Sequence, residues 1–210
     1  MSRPPVRLFR DARSGHCHRV ELLLAMLDLP YETVEVDIPG GELRTPAFLE
    51  MNRFGQVPVI DDAGTIVADS NAILVYLAKR HDGAARWLPE DAAGAARVQR
   101  WLSAAAGPVA YGVAAARLVT VFGAPLDAAG AIARGHQFLK VLDAELAGRG
   151  FLAADHATIA DLACYSYVAH APEGNVALDA YANVRAWLAR VEALPRFVPM
   201  RRTRVGLLAA

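Results

Sequence analysis

Four side chains that could do chemistry lie close together near the start of the chain: Ser14, His16, Cys17 and His18, within the stretch RSGHCHRVELLL. Apolar residues typical of a helix follow them, so they occupy the first turns of a predicted helix that begins at Ser14 or Gly15. Unpaired backbone amides and the helix dipole at such an end stabilise an anion. A metal site is not predicted, because consecutive helical side chains point about 100° apart and no other group of ligands accompanies them.

The order Ser14-Gly15-His16-Cys17 resembles a C-x-x-C motif in which serine takes the first position. The second position points back into the domain, so we expect Cys17 to pack as a small hydrophobic residue and not to act as a nucleophile. A serine cannot exchange disulfides, but its hydroxyl can donate a hydrogen bond to the thiolate of another molecule. Lowering a thiol pKa from about 8.5 by about two units takes roughly 2.7 kcal/mol. That is the order of one charge-assisted hydrogen bond together with a helix end. The alternative interpretation of Ser14 is an ordinary helix N-cap.

The predicted elements divide the chain into two parts. In 1–82 the order is strand, helix, strand, helix, strand, strand, helix, which is typical of a small α/β domain. Residues 83–90 combine glycine, proline and charge and form a predicted linker, and 91–210 show helical patterns without a good strand, which predicts an all-α domain. The predicted strands are 6–9, 31–36, 57–61 and 65–68, and the predicted helices are 14–27, a short one within 40–52, 70–81, 92–122 (interrupted near Gly107-Pro108), 127–147, 158–170 and 181–193.

Composition narrows the possible classes of function. Acidic and basic residues balance at 22 each among 210 residues, so charge gives no argument for nucleic acid or a membrane surface as a partner. The chain has no run of about 18 uncharged apolar residues, and MSRPPVRLF lacks the apolar stretch of a signal peptide. We therefore predict a cytoplasmic protein without a membrane span, in which Cys17 and Cys164 are reduced thiols and form no disulfide.

Three further features follow in order along the chain. Gly55-Gln56-Val57-Pro58 places a proline just before a strand, a setting for a cis peptide bond that bends the backbone toward a ligand. Asp69-Ser70 opens a helix whose N-terminus could hold a carboxylate. Thr158-Ile-Ala-Asp161 has the form of a capping box. Together with Ser14, this ordered set resembles the glutathione transferase superfamily over essentially the whole chain, and within it the bacterial serine-type members (theta, zeta and delta-like).

The resemblance implies a thioredoxin-like α/β domain that binds glutathione, followed by an all-α domain that supplies most of the electrophile pocket. It places the hydroxyl of Ser14 at the glutathione sulfur. His16 is a second candidate, which either hydrogen-bonds the sulfur or the serine, or simply packs. The backbone of Val57, before Pro58, would pair with the cysteinyl part of glutathione, and Gln56 would bind beside it.

The resemblance also implies residues for the two ends of glutathione. Asp69 would meet the ammonium and Ser70 the carboxylate of the γ-glutamyl end. Relatives often carry a histidine for the glycine end, at the position where this chain has Leu43. The neighbouring Arg44 either substitutes for it, because a guanidinium suits a carboxylate, or is an ordinary solvated arginine.

The electrophile pocket is less well defined by the sequence. Tyr111, Arg117 and Tyr165 are the candidates, although aromatic residues on helices are more often part of a core. Arg117 would either bind an acidic group of the substrate or pair at a dimer interface. The resemblance thus predicts a homodimeric transferase that joins the glutathione thiolate to a small hydrophobic electrophile, with glutathione as co-substrate and no metal. The alternatives are a glutathione-dependent thiol–disulfide oxidoreductase or peroxidase, and a non-catalytic ligand-binding or interaction module of the same fold.

Overall fold

A computed structural model of the chain describes residues 4–209. The chain forms two compact units. Unit 1 contains the chain up to Leu88 together with Pro195–Met200, and unit 2 contains Pro89–Leu194 together with the residues from Arg201 onward.

Unit 1 is a mixed four-stranded sheet with helices, as the order of predicted elements indicates. The strand order is β2-β1-β3-β4; β1 runs parallel to β2 and antiparallel to β3, and β3 pairs antiparallel with β4. The elements are β1 (Val6–Arg10), α1 (Gly15–Met26), β2 (Tyr31–Glu35), a 3-10 turn (Glu42–Arg44), α2 (Pro46–Met51), β3 (Val59–Asp62), β4 (Thr65–Ala68) and α3 (Ser70–His81).

The side chains of β1 alternate between the two faces of the sheet, which explains why helices cover both. Leu8 is fully buried, and so are Leu23 of α1 and Leu74 of α3, two helices that pack against each other. Phe9 belongs to a separate apolar cluster with Phe48 of α2. Because successive strand residues point to opposite faces, one short strand anchors both layers. The strand ends and helix ends near the site are therefore held on a packed scaffold.

The segment 195–200 belongs to unit 1, although the sequence places it in the helical domain. The Nε2–H of His18 donates to the carbonyl oxygen of Val198 at 2.8 Å, and His18 is 3% exposed. Arg196 forms an ion pair with Asp28 at 2.8 Å. His18 thus anchors this segment, a role that no local pattern around it could have indicated.

Among its described residues, unit 2 contains helices and the loops between them, and no strand. It contains α4 (Ala92–Ala104), a π-helical segment (Ala105–Ala114), α5 (Ala115–Phe122), α6 (Ala128–Glu145), α7 (Ile159–Ala169), a 3-10 turn (Ala171–Gly174), α8 (Ala182–Glu192) and a further 3-10 turn (Gly206–Leu208).

The predicted interruption of the α-helix near Gly107-Pro108 is present as a π-helical segment, and the helix does not break there. The helix widens into the π-helical segment that contains Pro108 and then continues as α5. A proline cannot donate a backbone hydrogen bond, and π-type widening is a known way for a helix to accommodate such a defect. In the same segment, a Cβ on Gly112 would lie 2.9 Å from the amide nitrogen of Gly135. Glycine is therefore required there for the close approach of α6.

This continuous helix, Ala92–Phe122, is the one among the described residues that is long and apolar enough to cross a membrane by length and composition. The core helix of a folded domain meets the same criterion. Val109 and Val113 are completely buried, and Arg117 forms an ion pair inside unit 2. We therefore interpret it as the central helix of unit 2.

The predicted capping box begins α7 and is confirmed. The carboxylate of Asp161 accepts from the backbone amide of Thr158 at 2.9 Å, and the Thr158 hydroxyl accepts from the amide of Ala160 at 3.3 Å. Asp161 also accepts from the indole Nε1–H of Trp187 at 2.9 Å and from the amide of Leu152 at 3.0 Å. Burial raises the pKa of Asp161, although these hydrogen bonds oppose that effect. The box thus connects α7 to α8 as well as closing the end of its own helix.

Candidate functional site

Ser14 lies at the N-terminus of α1, where the chain leaves β1. Its backbone is extended (φ −83°, ψ 120°), and its Oγ accepts from the amide of Cys17 at 3.4 Å. The serine is therefore the N-cap of the helix. The cap bond is long, and it occupies one lone pair of the oxygen and leaves the hydroxyl hydrogen to be donated elsewhere. The cap and thiol-donor interpretations of Ser14 are thus compatible.

Cys17 packs inside unit 1, as the sequence predicts. It is 1% exposed, and burial raises the pKa of its thiol to about 12, although a hydrogen bond with Ser14 opposes the shift. Cys164 is completely buried in unit 2, and neither cysteine forms a disulfide. A buried thiol with a raised pKa lacks the exposure and the ionisation of a reactive cysteine, which agrees with the packing role predicted for Cys17.

The side chain of His16 contacts helix α3. Its Nδ1 lies 3.3 Å from the Oγ of Ser70, the first residue of that helix. Burial and the positive charge of Arg19 lower the pKa of His16 to about 3. The imidazole is therefore neutral at physiological pH and offers a hydrogen bond and no positive charge.

Arg19 is a residue of this cluster that the sequence reasoning missed. It is completely buried, and its Nη1 donates to the Oγ of Ser70 at 3.3 Å and to the Oδ1 of Asn71 at 3.0 Å. The sequence does contain a sign that Arg19 is buried, because Arg19 precedes the buried Leu22 and Leu23 by three and four positions on the same face of α1. A charged residue on a buried stripe is uncommon and favours a specific role.

Asp69 and Ser70 form the N-terminus of α3, as expected. The Oδ1 of Asp69 accepts from the amides of Asn71 and Ala72, both at 2.9 Å, while Ser70 is 4% exposed. Asp69 has φ 73°, which is uncommon for a residue with a Cβ and is often found where a backbone serves a ligand. Because Asp69 already caps those two amides, this helix end has the amide and the hydroxyl of Ser70 next to an exposed carboxylate.

The loop before β3 contains the expected cis peptide bond between Val57 and Pro58. The amide side chain of Asn52 donates to the carbonyl of Gln56 at 2.8 Å and fixes the loop. Gly55 has φ 59°, and a Cβ on it would lie 2.7 Å from the Nη1 of Arg44. The fold therefore places the guanidinium of Arg44 against the loop that carries Gln56 and Val57.

The three residues predicted for the electrophile pocket lie in different environments of unit 2. Tyr111 is 68% exposed on the π-helical segment. Tyr165 is buried, and its hydroxyl donates to Glu192 at 2.9 Å. Arg117 is buried and pairs with Glu173 at 2.6 Å, a partner that neither interpretation from the sequence included. Of the three, only Tyr111 presents most of its side chain to solvent.

Comparisons with known proteins agree with this geometry. Residues 13–80 match the family model described as glutathione S-transferase, N-terminal domain, and residues 131–195 match glutathione S-transferase, C-terminal domain. The chain belongs to the glutathione S-transferase family. Glutathione S-transferase 3 of Zea mays is 32% identical to this transferase over 206 residues, which cover 92% of this chain and 91% of the maize protein.

Solved glutathione S-transferase structures have the same fold. That from Pseudomonas fluorescens is 33% identical, with a TM-score of 0.88 over 94% of this chain and 99% of the other. A glutathione transferase homolog from Drosophila mojavensis, solved with bound glutathione, is 25% identical, with a TM-score of 0.83 over 91% of this chain and 89% of the other. The resemblance inferred from the sequence is thus confirmed for the family and the fold, while the serine-type class stays a prediction.

Proposed function

We propose that this transferase conjugates the thiolate of glutathione to a small hydrophobic electrophile, and that Ser14 stabilises the thiolate. One observation carries the assignment: Ser14 caps α1 through one lone pair at 3.4 Å, so its hydroxyl can turn from the buried, protonated thiol of Cys17 to a sulfur bound at the same helix end. The nearest thiol of the chain, Cys17, is buried and protonated. The reactive sulfur is therefore supplied by glutathione.

Glutathione would bind along the ends of the elements of unit 1. The γ-glutamyl carboxylate would accept from the amide and hydroxyl of Ser70, and its ammonium would meet the exposed carboxylate of Asp69. The backbone of Val57 would pair with the cysteinyl residue, with Gln56 beside it. Arg44, held against that loop by the geometry at Gly55, would take the glycine carboxylate in place of the histidine found in relatives.

In this scheme Ser14 acts by hydrogen bonding and forms no covalent bond. A hydrogen bond to an ionised sulfur contributes about 1.5–3 kcal/mol, and a helix N-terminus adds about 0.3–1 kcal/mol. Together these lower the thiol pKa by about one to three units, since one unit corresponds to about 1.36 kcal/mol. The thiol proton passes to solvent, and the thiolate forms a carbon–sulfur bond with the electrophile. The bond to the leaving group, a halide in an aryl halide, breaks, and the halide departs with the electron pair. Tyr111, exposed in unit 2, is the remaining predicted residue for the electrophile pocket.

Two alternatives are less well supported by the same residues. A redox enzyme that used Cys17 would need an accessible thiol of low pKa, whereas this thiol is buried and its pKa is raised to about 12. A non-catalytic module would not need Ser14, the cis Val57-Pro58 bond and the capped α3 terminus all in place. We also propose, from the family resemblance, that the protein is a cytoplasmic homodimer.

Titration of glutathione by calorimetry, with the ultraviolet absorbance of the thiolate followed against pH, tests the proposal. We expect binding, a thiol pKa well below about 8.5, and conjugation of an activated aryl halide. Ser14→Ala should retain binding and raise the pKa of the bound thiol by about one to two units, while Ser14→Thr should keep it low. Asp91→Ala is the matched control, because it removes an N-cap bond of 2.8 Å from α4 in unit 2.

The results separate the alternatives. No binding at millimolar glutathione would contradict the proposal and favour the interaction module. Binding with an unchanged thiol pKa in Ser14→Ala would transfer the role to His16 or to the helix end.

A further inference from the structure

The guanidinium of Arg19 lies behind the N-terminus of α3. Arg19 belongs to α1, is completely buried, and donates from one nitrogen to the side chains of the first two residues of α3, Ser70 at 3.3 Å and Asn71 at 3.0 Å. These bonds join two helices at the point where the proposed carboxylate of the ligand would bind. Only the hydroxyl of Ser70 therefore separates the positive charge of Arg19 from that site.

The direction of the hydrogen bond between Arg19 and Ser70 follows from the chemistry of the guanidinium. A guanidinium can only donate, so the Oγ of Ser70 accepts from Arg19. When the neutral imidazole of His16 carries its proton on Nδ1, which lies 3.3 Å from the same oxygen, it donates to the second lone pair. In that tautomer both lone pairs are used, and the single hydroxyl hydrogen of Ser70 is left to be donated to a ligand.

We propose that Arg19 is a positioning residue for the α-carboxylate of the γ-glutamyl group, and this inference rests on the proposed function. Arg19 acts through Ser70: it orients the hydroxyl so that the hydrogen points to the ligand, and it adds a buried positive charge to the partial charge of the helix end. Arg19 does not touch the reacting sulfur.

The expected effect can be worked out from the distances. A carboxylate that accepts from Ser70 would lie no more than about 6 Å from the guanidinium, because an ordinary hydrogen bond of about 2.7 Å adds to the 3.3 Å between Arg19 and Ser70. Opposite unit charges at about 6 Å change a binding constant about tenfold even at an effective dielectric constant of about 40. We therefore expect Arg19→Gln to weaken glutathione binding about tenfold or more.

The experiment compares glutathione with an analogue in which that α-carboxylate is an amide. Calorimetry and steady-state kinetics are measured on the wild-type chain, Arg19→Gln, Arg19→Lys and Arg7→Gln. Arg7 is the matched control, because it is an arginine of the same unit whose side chain is 47% exposed and pairs with Glu32. Arg19→Gln should raise KM for glutathione about tenfold with kcat changed less than about threefold, and should leave affinity for the amide analogue within about threefold. Arg19→Lys should restore part of the loss, and Arg7→Gln should cause none.

The outcomes are distinct. If wild-type protein does not bind glutathione, the proposed function fails. If the wild-type protein binds glutathione and Arg19→Gln weakens the binding of glutathione and of the amide analogue equally, Arg19 is merely structural and the inference is wrong. If Arg19→Gln does not fold, Asn71→Ala replaces it, because it removes the acceptor that orients the guanidinium. Asn71→Ala should weaken glutathione binding about threefold and leave the affinity for the amide analogue unchanged. An equal loss of affinity for both ligands would again overturn the inference.

Discussion

A buried ionic cluster in unit 2 gives the largest stability effect that we predict. Glu173 is completely buried and accepts four hydrogen bonds. The donors are Nε of Arg117 at 2.6 Å, Nδ1 of His170 at 2.7 Å, and the amide and hydroxyl of Thr203 at 2.9 and 3.1 Å. One carboxylate therefore connects α5, the turn after α7 and the C-terminal segment. Glu173→Gln is the perturbation that tests this arrangement.

The carboxylate of Glu173 is ionised in the folded protein. Burial opposes the charge, but the hydrogen bonds from His170 and Thr203 and the positive charge of Arg117 outweigh it and lower the pKa to about 2. Replacement by glutamine removes the negative charge that faces the buried guanidinium. Breaking a buried ion pair from one side costs about 3–5 kcal/mol. We expect that decrease in the free energy of unfolding.

Equilibrium unfolding in urea, followed by tryptophan fluorescence, measures the effect. The matched control is Glu145→Gln, because Glu145 pairs with Arg100 at 2.5 Å on the surface, where such pairs contribute about 0–1 kcal/mol. Arg117→Met combined with Glu173→Gln should be less destabilising than the sum of the two single changes, since the two residues act as a pair. A loss in Glu173→Gln no larger than that in Glu145→Gln would refute the reasoning.

The same carboxylate predicts a dependence on pH. A depressed pKa contributes stability that is fully present above the unfolded value of about 4.5 and is lost as the pH falls toward about 2. The difference in stability between the wild type and Glu173→Gln should therefore narrow below about pH 4.5. A difference that stays constant down to pH 3 would contradict an ionised Glu173.

Three further predictions concern other residues. Cys17 should react with a thiol reagent at pH 8 only as fast as the chain unfolds, because its thiol is buried and its pKa is raised to about 12; the measurement is mass spectrometry over time. The melting temperature should fall as the pH decreases from about 6.5 toward 3. In this range His16 is protonated in the unfolded chain but stays neutral in the folded chain, where its pKa is about 3. His16→Gln should reduce this dependence of the melting temperature on pH. Gly112→Ala should destabilise by about 1–3 kcal/mol in urea, because its Cβ would lie 2.9 Å from the backbone of Gly135; Gly107→Ala, with open space around the new Cβ, is the control.

Each of these has a contrary result. Labelling of Cys17 within seconds under native conditions would show an accessible thiol and favour redox chemistry. An identical pH slope in wild type and His16→Gln would place the histidine in solvent. Equal effects of alanine at Gly112 and Gly107 would mean that α6 shifts to make room.

Local sequence patterns were sufficient to predict many of the strands and helices of unit 1 and several helix ends. β4 has the predicted bounds, Thr65–Ala68, and α3 begins at Ser70 as expected. The capping box at Thr158 and the N-cap at Ser14 were readable because a cap joins residues two or three positions apart. The cis peptide bond before Pro58 could likewise be predicted from the residues of its own loop.

The tertiary structure alone decided which distant residues meet. Arg19 and Ser70 are 51 positions apart, and Arg117 and Glu173 are 56 apart. A charged residue in an apolar helix shows that a partner is needed, but its identity depends on how the helices pack. The same holds for His18 and Val198, 180 positions apart. Periodicity and caps are properties of neighbouring residues, whereas ion pairs and buried hydrogen bonds are fixed by packing across the whole unit.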